Sequence, residues 1–269
     1  MAKIIFQADD YGITPAATQG VVHAVNNGFI RATGVFTNRP SAPRAIEALR
    51  HWEGLDLGMD LNLVTGSPLL PAEQVPDLVT GDGTFRTSHQ IRAEYELVEA
   101  QGMKTTYAVE PFGHEQTMAE ANAQYERFVE LAGRKPAYLH HHSIITPGIE
   151  RVIHQLGEER SVKVMDDLIE PGSGVNWVPN TWYTRPFDAN IQADAKPIEE
   201  FEAMLDQVAR HDISILITHP GYVDAELLDI TSYHVIRARE LELVTSGRIA
   251  EAMRIRGIEV TSLSAEGLI

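Results

Sequence analysis

The first apolar run of the chain, Ile4-Ile5-Phe6, is short and continuous and gives way to Gln7 and the acids Asp9-Asp10. Such a run predicts a buried strand. Thr14 and Pro15 then supply a helix cap and a first helical residue, and helical spacing runs from Ala16 to Asn27 before Gly28. Gly34 to Thr37 predicts a second strand, and Ala42 to Trp52 a second helix. Over 55–63, Leu57, Met59, Leu61 and Leu63 alternate with Asp56, Gly58, Asp60 and Asn62. That period of two places the polar set on one face of a third strand. Residues 64–90, rich in Gly, Pro and Thr, predict a long loop. Further helices are predicted over 120–132, 148–156, 198–211 and 233–244, and strands over 137–142, 214–218 and 258–260. Residues 170–198 read as a second irregular stretch.

Strand and helix alternate throughout, which implies a parallel sheet covered by helices. About seven such units favour an α/β fold of the TIM-like (β/α) barrel type, distorted to about seven strands, over an open doubly wound sheet. No repeat or linker interrupts residues 1–269, so they read as one domain. In both architectures functional groups lie beyond the carboxyl ends of the strands.

Charge and composition narrow the chemistry. With 22 Lys+Arg against 38 Asp+Glu the net charge is −16, which opposes nucleic acid and anionic membrane surfaces as partners. Cysteine is absent, excluding disulfides, thiolate metal sites and thiol nucleophiles. No apolar run approaches the ~20 residues of a membrane helix, and the start of the chain lacks a signal-peptide pattern. A cytoplasmic protein is expected.

Four predicted strands end in acids or imidazoles: Asp9-Asp10, Asp60 with Asn62, His140-His141-His142, and His219. Gathering buried charges costs several kcal/mol unless they are compensated, and a divalent cation would do so. Of two adjacent acids, one can ligate a metal while the other takes a proton from water. On a strand, His140 and His142 share a face and His141 points away. The imidazole of His219, ahead of Pro220-Gly221, suits a general acid. Most other histidines read as solvated, His114 after Gly113 being the one kept in view. The aromatic loop Trp177 to Phe187 suits either the C–H faces of a sugar or plain packing over the barrel mouth.

These elements, in this order, resemble the YdjC-like family, which includes the chitooligosaccharide deacetylases. The resemblance rests on Ala8-Asp9-Asp10-Tyr11-Gly12, on Leu57-Gly58-Met59-Asp60-Leu61-Asn62-Leu63 with Thr65-Gly66-Ser67-Pro68-Leu69, and on Gln124 to His142. It continues in Thr218-His219-Pro220-Gly221-Tyr222 and in the helix with Tyr233, Arg237 and Glu240. It implies a β/α-barrel hydrolase that deacetylates N-acetylated sugars with a divalent metal. By position, Asp10 and His142 match metal ligands, Asp9 the general base and His219 the general acid. Tyr11, Asn62, Trp177, Trp182 and Arg237 are the expected substrate contacts.

Two positions depart from the family pattern. Asp60 stands where a metal-binding histidine is usual, and His140 where an aspartate is usual. The pair looks like an exchange of charge type across one site. Asp60 can still ligate, and His140 can join His142 around the metal. The added carboxylate favours Mg²⁺ over Mn²⁺ or Zn²⁺. Lys163, Met165 and Asp166 also occupy a segment where an arginine is expected. The expected reaction is therefore metal-assisted amide hydrolysis of a small N-acetylated sugar or oligosaccharide. The alternatives are an amide or imide hydrolase on a non-sugar substrate, and a non-catalytic sugar-binding relative with an altered metal site. A homodimer is left open.

Overall fold

A computed structural model describes residues 1–101, 104–183 and 187–269. The amino-terminal half runs β1 (Ala2–Tyr11), α1 (Pro15–Asn27), β2 (Ile30–Val35), α2 (Ala42–Leu49), β3 (Asp56–Leu61), α3 (Ser88–Glu94), β4 (Leu97–Gln101), β5 (Lys104–Tyr107) and α4 (His114–Ala132). There follow β6 (Tyr138–His141), α5 (Pro147–Arg160), β7 (Lys163–Val164), α6 (Met165–Ile169), β8 (Asn176–Trp177) and α7 (Ala189–Asp194). The chain ends with α8 (Pro197–Val208), β9 (Ile213–Thr218), α9 (Ala225–Ile230), α10 (Ile236–Val244), α11 (Gly247–Ile255) and β10 (Ile258–Val260).

Seven parallel strands form one curled sheet in the order β7-β6-β3-β2-β1-β9-β8, with β10 pairing the first residues of β1 ahead of β2. The result is the distorted, TIM-like half-barrel that the alternation of elements predicts. Both faces of β1 are buried, which explains its unbroken apolar start. Ile4, Phe6 and Ala8 face the helices in the main core, whereas Ile5 packs on the inner face with Ala32, Tyr138, Met165, Ile215 and Leu263.

The carboxyl-terminal segment shuts the lower end of this inner face. Leu263 is fully buried there, Ser264 N donates to Asp56 Oδ2 at 3.0 Å, and Lys3 pairs with Glu266 at 2.7 Å. Tight contacts on the inner face need missing side chains. A Cβ on Gly58 would lie 2.5 Å from the Tyr138 ring, and one on Gly34 would lie 1.6 Å from Asp60 Oδ1.

The structure departs from the sequence expectations where burial is polar or absent. Helix α4 begins six residues earlier than the apolar spacing predicts, because its buried face includes Thr117, Glu120 and Gln124. Glu120 accepts from Leu69 N and Leu70 N, and Gln124 exchanges hydrogen bonds with the backbone of Asn62. The β4–β5 hairpin went unpredicted because every residue of β4 is exposed, leaving no buried face to impose alternation. The stretch 170–198, read as irregular, contains β8 and α7. Among the described residues, no helix is long and apolar enough to cross a membrane.

Candidate active site

The carboxyl end of β1 is where the backbone breaks its own pattern. In a regular strand Asp9 and Asp10 would face opposite sides of the sheet. Asp10 instead has φ +63°, a left-handed conformation that aspartate tolerates better than most residues. The register with β2 shifts between Ala8 and Tyr11 at the same place. The turn brings Asp10 N to 3.0 Å from Asp60 Oδ2.

Asp60 and His140 are direct register partners on β3 and β6. Their exchange of charge type is thus an exchange between neighbours on one face. His140 Nδ1 lies 3.6 Å from Asp60 Oδ1 and 3.4 Å from Asp9 Oδ2. Candidate ligand atoms of Asp9, Asp60 and His140 all fall within 4.8 Å of one another. Gln7 Nε2 donates to Asp9 Oδ1 at 2.7 Å.

Asp10 looks the other way, to His142 and α10. Its Oδ2 takes a bond from the buried Arg237, whose Nε is fixed on Tyr233 O. Its Oδ1 sits 2.8 Å from His142 Nδ1, yet no hydrogen bond is aligned on that oxygen. Asp60 Oδ1 and His140 Nδ1 are likewise buried without an aligned partner. Asp60 Oδ1 and His140 Nδ1 belong to the Asp9, Asp60 and His140 group, whose carboxylates and imidazole suit a divalent cation.

The electrostatics follow from burial and neighbours. Burial and the charge of Asp9 push the Asp60 carboxyl up to about 7. Burial works to raise Asp9 as well, but His140 and His219 hold it below the ordinary carboxylate range. Asp10 is held further down, against burial, by His142 and Arg237. His140 is raised well above a free imidazole, because Asp9 and Asp60 outweigh its desolvation.

His219, on the loop after β9, backs onto Glu240 of α10. The Glu240 carboxylate accepts from His219 N, Trp182 Nε1 and Tyr233 Oη, each at 2.8 Å. His141 pairs with Asp166 at 2.8 Å, and its ring lies 4.7 Å from that of His140. His140, His141 and Asp166, with ligand atoms within 4.8 Å of one another, thus form a second group that could hold a cation beside the first. The acid found where an arginine was expected therefore anchors the middle histidine.

The expected substrate contacts disperse. Tyr11 is fully buried with its hydroxyl on Ala45 O, so its ring belongs to the core beneath α2 and not to the site. Asn62 is also buried and folds the loop after β3, accepting from Val64 N and Thr65 N and donating to Thr65 O. Trp182 is buried on Glu240, and Arg237 on Asp10. Trp177 alone of the five is exposed, on the edge strand β8. Residues 184–186 of the aromatic loop lie outside the described residues. His114 opens α4 in solvent. Sequence reasoning missed Gln7, Asp166 and the role of Glu240; a glutamate amid apolar helix positions was the available signal for the last.

A parallel half-barrel with acids and imidazoles gathered at the carboxyl ends of its strands defines the class. The chain belongs to the YdjC-like protein family, whose model matches residues 3–254. Carbohydrate deacetylase 1 of Listeria innocua serovar 6a is 28% identical over 261 residues, covering 97% of this chain and 98% of that one. A carbohydrate deacetylase of Listeria monocytogenes serotype 4a is 28% identical over 265 residues, with coverage of 97% and 98%. A crystal structure from Enterococcus faecalis V583, of a candidate cellobiose-phosphate cleavage protein, superposes with a TM-score of 0.75 at 23% identity, covering 98% of each chain. That likeness shows the fold.

Proposed function

We propose that this protein is a cytoplasmic, divalent-metal-dependent deacetylase of an N-acetylated sugar or short oligosaccharide. The observation that carries the reading is the convergence of Asp9, Asp10, Asp60, His140, His142 and His219, with Asp60 Oδ1 and His140 Nδ1 buried and unpaired. The names of the Listeria relatives support the substrate class.

Asp10, Asp60, His140 and His142 would hold the cation, Mg²⁺ or Mn²⁺ ahead of Zn²⁺. When bound, it would polarise the acetyl carbonyl and acidify a water. Arg237 fixes Asp10 through Oδ2, leaving Oδ1 turned to the site. Asp9, with Oδ1 tied to Gln7, keeps Oδ2 to take the proton of the attacking water. His219 Nε2 gives a proton to the departing amine, a poor leaving group without it. Water thus ends as acetate, and the sugar keeps a free amine.

The test is acetate release from a panel of N-acetylated mono- and oligosaccharides, with metal content measured alongside. Release by the metal-loaded protein, abolished in Asp10→Ala, is the expected result. A loaded protein that releases no acetate but hydrolyses other amides or imides moves the reading to a non-sugar substrate. The clustering of Asp9 with Asp60 and His140 favours a second role for Asp9 as a ligand. Asp9→Asn separates the two: metal retained with activity lost marks the proton acceptor, and metal lost marks the ligand. Charge balance also suits a sugar-binding relative that holds no metal, since Arg237, His142 and His140 already face the acids. A protein that binds sugar but takes up no cation on dialysis would establish that reading instead.

A further inference from the structure

Helix α10 carries two buried charged side chains one turn apart, Arg237 and Glu240. Arg237 sets Asp10. We propose that Glu240 is the positioning residue for the proton donor, accepting His219 Nδ1–H so that Nε2–H points to the leaving nitrogen. The proposal rests on reading the site as an amide hydrolase, because only a poor leaving group needs that proton.

The geometry is nearly complete already. Glu240 is fully buried, and its Oε1 is fixed by both Trp182 Nε1 and Tyr233 Oη. Its Oε2 takes the backbone N–H of His219 and lies 3.9 Å from His219 Nδ1. That Nδ1 is buried and has no hydrogen bond. Rotation of the imidazole by a fraction of its own width closes the gap to a charge-assisted bond. The ring is limited to such a movement by Tyr233, edge-on at 4.9 Å, and Tyr183, stacked at 5.9 Å.

Two physical consequences make this more than packing. A carboxylate taken out of water and met only by neutral donors is costly, and an imidazolium beside it offsets that cost. In return the carboxylate fixes the tautomer and orientation of the imidazole. The other charged and titratable groups that act on His219 are Asp9 and Asp10 of β1, with the phenols of Tyr183 and Tyr233 around the ring. Glu240 stands on the Nδ1 side at ion-pair distance.

The experiment compares wild type, Glu240→Gln and Glu240→Asp, each loaded with Mg²⁺ or Zn²⁺. His219 is titrated by NMR, its resonance assigned by its loss in His219→Ala, and kcat and KM are measured on N,N'-diacetylchitobiose. Expected for Glu240→Gln is a His219 titration moved down by about one pH unit, with kcat lowered by ~10²-fold and KM within about threefold. Glu240→Asp, which keeps the charge, should recover part of both and serves if the amide fails to fold. A His219 titration that does not move, or a rise in KM with kcat intact, overturns the proposal. If the wild type releases no acetate, the deacetylase reading fails, while the NMR titration still decides whether Glu240 controls His219.

Discussion

The inner face of the sheet has two storeys built by the same strands. In the lower one, Ile5, Ala32, Tyr138 and Ile215 pack with Met165 and Leu263. In the upper one, nearer the carboxyl ends of the strands, stand Gln7 and Asp9 on β1, Asp60 on β3 and His140 on β6. The lower storey is shut by the carboxyl-terminal segment, so the charged groups above it rest on an apolar floor. Burial there is what raises the Asp60 carboxyl and opposes the charge on His140. The contrast teaches that the apolar floor shapes the electrostatics above it: burial sets the protonation of the acids and imidazoles.

The comparison breaks most completely if the upper storey works without metal. Chelation followed by dialysis should abolish acetate release, and Mg²⁺, Mn²⁺ or Zn²⁺ should restore it; full activity at less than a tenth of an equivalent of metal would sink the reading. Next in size is His219→Ala, expected to lower kcat by ~10²–10⁴ while elemental analysis finds the cation still bound.

The lower storey should respond in the opposite currency. Leu263→Ala should cost about 2–5 kcal/mol in urea unfolding and leave the metal stoichiometry intact; loss of the metal in a folded protein would show that the storeys are not separable. Between them, Gly34→Ala puts a methyl where Asp60 now lies. It should cost about 1–3 kcal/mol and weaken cation binding, read by titration calorimetry.

The smallest effect is a pH dependence of the metal-free protein. Asp60 has a folded pKa of about 7, above the unfolded value of 3.8. The folded state therefore binds more protons between those values, and stability falls as pH rises through about 4 to 7. His140, also raised, adds stability below its unfolded value that is lost as pH rises through its folded one. Thermal midpoints of the chelated protein should thus decline with pH over this range, and a saturating cation should flatten the decline. An opposite slope would show that Asp60 is not desolvated as described.

The sequence made some of this legible and hid the rest for identifiable reasons. Alternation in 55–63 placed Asp60 on one face, and the buried run Ile4-Ile5-Phe6 placed Asp9 and Asp10 at a strand end. These signals are local, set by the two-residue period of a strand. Tyr11 could not be read in the same way: its hydroxyl is satisfied by Ala45 O, a partner supplied by another element. Glu240 escaped a role, and Arg237 was expected on substrate and not on Asp10, because a helix sequence does not say which strand end the helix will cover.

The chain alone determined which residue types close the strands, how the elements alternate, and that no thiol takes part. Only the tertiary structure decided that Asp60 and His140 are neighbours, that Asp10 turns its backbone N–H to Asp60, and that Arg237 reaches an acid 227 positions away. Side-chain direction along one strand follows from local backbone geometry. Strand register and helix docking follow from long-range packing, which the spacing of residues in sequence does not encode in readable form.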